Sequence, residues 1–191
     1  FASLNPSGKR VRPNKDALAL IIGVAEYERT EAKAAYADKD ATTFYDYAML
    51  KLGIPAQNIK ELVNNSAGEI DVRLAVRDWI RRSAKPDSSD IYIFFAGHGL
   101  ADQSGKNMYL LPYDGSPRLL EDSAISRDNL FQDIASAKPR SVTIFLDTCY
   151  SGTTRGSDML IASRPIAIRA IKKSIPDNFT VMTAAAGDQT A

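Results

Sequence analysis

The chain has 191 residues, enough for one domain with a sizeable core. Hydrophobic residues make up 45%, which excludes disorder, and 24 Lys and Arg against 23 Asp and Glu leave a net charge of +1. That balance gives no electrostatic reason to expect nucleic acid or an anionic membrane as partner. One cysteine excludes an internal disulfide framework. No apolar run approaches the roughly 18 residues of a membrane span, and no secretory signal is visible. The expectation is a soluble chain; the compartment stays open, with the cytoplasm favoured. Phe1 in place of Met suggests a fragment or a processed product.

Residues 1–15 read as a polar linker or N-terminal extension, with turn residues at Asn5-Pro6-Ser7-Gly8 and Arg12-Pro13-Asn14. Residues 16–191 read as one domain. Ala17 to Val24 is a continuous apolar run, the pattern of a buried strand. A helix is expected from Asp38, because Ala41, Phe44, Tyr45, Ala48 and Leu52 share one face; Gly53 and Pro55 stop it. Ile59 to Val63 is a second short strand. Ser66-Ala67-Gly68-Glu69 reads as a capping box opening a helix with Val72, Val76, Trp79 and Ile80 on one side. Asp90 to Phe95 is a third strand and runs into Ala96-Gly97-His98-Gly99.

Residues 100–125 read as loop, with a short apolar piece at Met108 to Leu111 and a turn at Pro112 to Gly115. Ser126 with Asp128 opens a helix whose inner face is Leu130, Ile134 and Ala137. Ser141 to Leu146 is a fourth strand and stops at Asp147-Thr148-Cys149. A basic stretch follows, with Arg155, Arg164, Arg169, Lys172 and Lys173, and then a fifth strand at Phe179 to Ala184. Strands alternating with helices predict an α/β fold: a mostly parallel sheet with helices on both faces. The early stop after strand five suggests that a sixth strand comes from missing C-terminal sequence or a second chain.

His98 is the only histidine and Cys149 the only cysteine. Read singly, His98 is a turn residue and Cys149 a small buried hydrophobe. Read together they say more. Each follows a strand and has a glycine nearby, and neighbouring parallel strands lie about 4.8 Å apart. If strands three and four are neighbours, both side chains emerge at one sheet edge, where open α/β sheets carry their chemistry. A thiol beside an imidazole is the nucleophile-and-base arrangement of covalent catalysis. The backbone N–H groups of Gly99 and Cys149 are candidate oxyanion donors.

The segments Ile93-Phe94-Phe95-Ala96-Gly97-His98-Gly99 and Phe145-Leu146-Asp147-Thr148-Cys149-Tyr150-Ser151-Gly152 resemble the histidine and cysteine motifs of the caspase-like cysteine peptidases. Their spacing fits a caspase histidine about 50 residues upstream of its cysteine. The Asp-x-Cys-x-Ser-Gly form is closest to metacaspases and bacterial orthocaspases. Leu20-Ile21-Ile22-Gly23 with Ala37-Asp38-Lys39-Asp40-Ala41 also resembles the start of that domain. The resemblance covers roughly residues 16–191 and implies the caspase-like fold. It also implies an endopeptidase acting on protein or peptide substrates through Cys149 and His98.

The same resemblance implies that Asp40 and Asp147 form an acidic pocket for Arg or Lys at P1, the residue before the scissile bond. Carboxylates bind a guanidinium by charge-assisted, often bidentate hydrogen bonds. Asp147 as a loop cap and Asp40 as a solvated first-turn residue are the alternatives. Ala96 stands where metacaspases usually carry serine. The basic residues after Cys149 lie in the segment that caspases process, so bonds there are candidate self-cleavage sites; a solvated basic helix face is the alternative.

No cofactor is required by this chemistry. Calcium dependence stays open, but Asp102, Asp114 and Asp158 are scattered and read better as surface carboxylates. One Cys and one His cannot supply a zinc site. The competing class is a non-catalytic caspase-like scaffold or sensor module, which would have no need of the His/Cys pair. A nucleotide-binding domain or an α/β-hydrolase would want Gly-rich or Gly-x-Ser-x-Gly motifs, and both are absent.

Overall fold

The computed structural model describes residues 11–102, 104–148, 150–152 and 175–184. Among the described residues the main sheet has five strands: β1 (Leu18–Gly23), β2 (Ile59–Val63), β3 (Asp90–Ala96), β7 (Ser141–Asp147) and β9 (Phe179–Thr183). They lie in the order β2-β1-β3-β7-β9, and each neighbouring pair is parallel. β1 is buried along all six residues, as a central parallel strand covered on both faces must be. The third and fourth strands expected from the sequence are neighbours, Ala96 pairing with Asp147.

Helices cover both faces. α1 (Ala37–Leu50) packs Ala37, Ala41 and Ala48 against Ala19, Ile21, Phe94 and Ala96. Gly53, at φ +70°, terminates it as expected. On the other face lie α2 (Glu69–Leu74), a π-helical stretch (Ala75–Ile80), a last turn α3 (Arg81–Ser83), and α5 (Arg127–Ala135). Val72, Val76, Ile80, Leu130 and Ile134 close there over Leu20, Ile22, Ile93, Phe95 and Ile144. The described residues thus form the α/β sheet with helices on both faces that the strand-helix alternation predicts.

Two local expectations are corrected. Ser66 does not cap α2. It closes a 3-10 turn over Asn64–Ser66 by accepting the Val63 N–H at 2.8 Å, and the helix starts after Gly68. Asp114, 45 positions away, accepts the Glu69 N–H at 2.7 Å. A remote carboxylate thus takes the role expected of the local serine. The second correction is the 100–125 loop. It contributes to a four-stranded sheet ordered β6-β5-β4-β8, built from β4 (Gly99–Ala101), β5 (Met108–Leu110), β6 (Ile125–Ser126) and β8 (Tyr150–Gly152), with a helical turn α4 (Leu120–Ser123). Strands of two or three residues are too short to show a period-2 pattern, and they exist only by pairing with distant chain.

The approach of α1 to the sheet depends on Gly23. A Cβ there would lie 2.5 Å from the Ala37 carbonyl oxygen and 2.6 Å from the Ala41 Cβ. Backbone cannot yield cheaply to such a contact. Gly23→Ala is expected to lower unfolding free energy by about 1–3 kcal/mol, the usual range for overpacking. Urea denaturation measures it; a loss under about 0.5 kcal/mol, within the range of ordinary surface substitutions, would contradict the close approach.

Candidate active site

The strand order reverses between β1 and β3. The chain leaves β1 toward β2, then returns to place β3 on the other side of β1. In open α/β sheets the crevice outside the carboxyl ends at such a switch point is where ligands bind. Residues from both strand ends meet there: Tyr27, four positions past Gly23, and His98, two past Ala96.

His98 is half-buried and tightly held. Its backbone N–H donates to the Tyr27 hydroxyl at 2.7 Å, and its carbonyl accepts the Leu111 N–H at 3.0 Å. The Tyr27 ring stacks on the imidazole with centroids 4.8 Å apart and planes 20° apart. Nε2 lies 3.2 Å from the Ala32 carbonyl oxygen. A carbonyl can only accept, so in the neutral ring Nε2 carries the proton and Nδ1 is the basic nitrogen. Burial holds the imidazole pKa below its ordinary 6.5, with the Ala32 bond acting weakly the other way. Burial likewise pushes the Tyr27 phenol far above its usual range, so it stays neutral.

Gly97 makes this approach possible. It sits at φ +152°, a region that favours glycine, and a Cβ on it would stand 2.9 Å from the Tyr27 hydroxyl. Its N–H donates to the Asp147 carbonyl at 3.3 Å, tying the end of β3 to the end of β7. Gly99 then opens β4, opposite Leu110 on one side and Tyr150 on the other.

The two aspartates come together. Side chains along β7 alternate, with Val142, Ile144 and Leu146 buried on one face, so Phe145 and Asp147 share the α1 face. Phe44 of α1 stacks on Phe94 at 4.5 Å and meets Phe145 at 5.1 Å. Asp40 lies one helical turn before Phe44, and Asp147 two residues past Phe145, so the aromatic contact sets the carboxylates near each other. Burial raises the Asp40 pKa above its ordinary value, and the negative charges of Asp147 and Asp38 raise it further. The pair is more open than a buried carboxylate pair: Asp40 is half-buried and Asp147 exposed.

Cys149, the expected nucleophile, and the basic residues Arg155, Arg164, Arg169, Lys172 and Lys173 lie outside the described residues, as does Asp158. Asp102 accepts hydrogen bonds from Ser104, Lys106 and Asn107, and Asp114 caps α2. Among the described residues no group of three or more His, Cys, Asp or Glu is placed to hold a metal ion. None of the described helices is long and apolar enough to cross a membrane. Sequence reasoning missed Tyr27 and Ala32, because neither carries a motif. The single signal available was their position in the loop after the first strand.

The fold and the strand-end constellation define a caspase-like α/β domain. The family model of the caspase domain matches residues 16–191, and the chain belongs to that family, one of cysteine peptidases. Two solved structures are similar. A protein from Geobacter sulfurreducens shares 17% identity at a TM-score of 0.49, over 72% of this chain and 52% of that one. The structure of pro-sf-caspase-1 shares 13% at a TM-score of 0.49, over 94% of this chain and 66% of that one. The chain thus spans between half and two thirds of their lengths. No curated protein matches it.

Because His98 is the only histidine, one imidazole resonance reports its titration. Its midpoint is expected below 6.5. The unfolded chain takes up this proton near 6.5 and the folded chain only at lower pH. The group therefore costs no stability well above pH 6.5 and destabilises the fold progressively as pH falls below it. A midpoint at or above 6.5 by NMR would contradict the buried, neutral ring.

Proposed function

We propose that the chain is a cysteine endopeptidase that cleaves after Arg or Lys through Cys149 and His98. One observation carries this reading. Ala96 pairs with Asp147 and Gly99 with Tyr150, so both flanks of the strand ends keep an offset of 51 residues (147 − 96 and 150 − 99). The offset from His98 to Cys149 is also 149 − 98 = 51. A register kept across the gap would set the thiol and the imidazole side by side.

The chemistry follows from the ring's tautomer. Nδ1 of His98 takes the thiol proton, and the thiolate attacks the substrate carbonyl carbon. The N–H groups of Gly99 and Cys149 stabilise the oxyanion. The protonated imidazole then gives its proton to the leaving amine as the C–N bond breaks, releasing the first product and leaving a thioester. Water, deprotonated by Nδ1, hydrolyses the thioester and restores the thiol. A neutral ring at the start is what a general base needs, and the burial of His98 favours it.

Asp40 and Asp147 supply the specificity. Two carboxylates whose charges oppose each other are relieved by a cation between them, which supports an Arg or Lys at P1. Self-processing at Arg155, Arg164, Arg169, Lys172 or Lys173 follows from the same preference.

Cys149→Ala is expected to lower hydrolysis of an Arg-P1 fluorogenic peptide about a thousandfold or more, the scale for losing a catalytic nucleophile. Undiminished turnover would remove the mechanism and leave the non-catalytic module as the better reading. Asp147→Asn and Asp40→Asn are each expected to reduce kcat/KM for Arg-P1 peptides by roughly ten- to a hundredfold, the worth of a hydrogen bond to a charged group. Cleavage after Asp but not after Arg or Lys would overturn the pocket. Intact-mass spectrometry tests self-processing: wild type should show fragments that Cys149→Ala lacks, and identical masses would exclude it.

A further inference from the structure

Tyr27 is held more firmly than burial alone explains. Only 9% of it is exposed, and the chain around it is fastened on both sides. The Val24 N–H donates to the Ala96 carbonyl at 3.0 Å, and the Glu28 N–H to the Tyr113 carbonyl at 2.9 Å. The N–H groups of Ala25 and Glu26 both donate to Asn64 Oδ1, at 2.9 and 3.3 Å. Asn64 itself adopts φ +47°, a left-handed conformation that asparagine tolerates. The loop so fixed brings two different groups to His98: the Tyr27 side chain, and five residues later the Ala32 carbonyl.

The backbone at His98 explains why a hydroxyl is needed. The His98 N–H follows Gly97, where the chain leaves the regular ladder of β3. A buried N–H that leaves a ladder must find another acceptor. The Tyr27 hydroxyl is that acceptor, at 2.7 Å, while the same side chain lays its ring on the imidazole. A phenylalanine would pack as well and leave the donor unpaired. Tyr27 thus holds the histidine at two points, its backbone and its ring face.

The geometry points to Tyr27 as the positioning residue of His98: it fixes the rotation of the imidazole that delivers Nε2 to Ala32 and leaves Nδ1 as the base. The catalytic consequence rests on the peptidase reading above; the effect on the imidazole does not.

Two substitutions separate the two grips. Tyr27→Phe keeps the ring and removes the acceptor, and Tyr27→Leu removes both. Imidazole 15N chemical shifts of the full chain report the tautomer of its single histidine directly. The wild type is expected to show the Nε2–H tautomer above its titration midpoint. Tyr27→Phe should show a mixture of tautomers, and Tyr27→Leu a mixture with the midpoint moved up toward 6.5, the ordinary value.

On an Arg-P1 peptide, kcat should fall on the order of tenfold in Tyr27→Phe and a hundredfold in Tyr27→Leu, the cost of a misplaced catalytic group. KM should stay within about twofold, because uniform substrate binding is untouched; Tyr27 packs with the core of the face opposite α1 and its Asp40. Should Tyr27→Leu not fold, Tyr27→Phe decides alone. A wild-type tautomer and wild-type kcat in folded Tyr27→Phe would overturn the assignment. If the wild type hydrolyses no peptide, the peptidase reading fails and the tautomer measurement alone decides the role of Tyr27.

Discussion

The parallel pairing of β3 with β7 is the constraint on which the rest of the site depends. Their register runs unbroken from Asp90 opposite Ser141 to Ala96 opposite Asp147. A slip of one residue would turn every side chain of one strand to the wrong face, exchanging Asp147 for a buried neighbour. Two things prevent it. The alternation along β7 buries Val142, Ile144 and Leu146 together. At the N-terminal edge, Asp90 accepts hydrogen bonds from Asn14 at 3.1 Å, from the Arg140 Nε at 2.9 Å and from the Ser141 hydroxyl at 2.6 Å. The Arg140 guanidinium holds the Asp90 carboxyl below its usual range, so the clasp keeps its charge to lower pH than a free aspartate would.

The sheet carries two different devices to one edge by using its two faces. On the α1 face, the stack of Phe44 on Phe94 and its tilted contact with Phe145 set the distance between helix and sheet, and Asp40 and Asp147 ride on those contacts. Around the switch point, the loop after β1 grips the residue after β3. Glycine appears where each device needs backbone to come close: Gly23 under α1, and Gly97 under the Tyr27 hydroxyl. The acidic pair and the imidazole are therefore built by separate packing, and both lie toward the carboxyl ends of the strands because parallel strands end together.

The small sheet supports that loop. The turn after β5 accepts the Glu28 N–H at the Tyr113 carbonyl and the Arg29 Nε at the Asp114 carbonyl, both at 2.9 Å. The Asp114 side chain at the same time caps α2. One turn thus joins the helix layer to the segment that holds His98. β4 and β8 extend the β3–β7 pairing beyond the main sheet, with Gly99 opposite Tyr150.

The sequence by itself determined the layers and most of the strands. Long apolar runs such as Leu18 to Gly23 can be satisfied only by burial on both faces, and the periodicity of α1 names its inner residues. It also singled out His98 and Cys149, because a sole histidine and a sole cysteine at strand ends need no coordinates to be noticed. Tertiary structure decided what depends on distant partners. Three-residue strands at Gly99 and Met108 have no pattern of their own and form by pairing. Ser66 looked like a cap, but Asp114 reached the helix first. Tyr27 carries no motif, and an ordinary tyrosine near the end of a strand says nothing about which N–H its hydroxyl will meet. That meeting depends on the reversal of strand order beside β1, which places two loops face to face, and no local property of either loop encodes it.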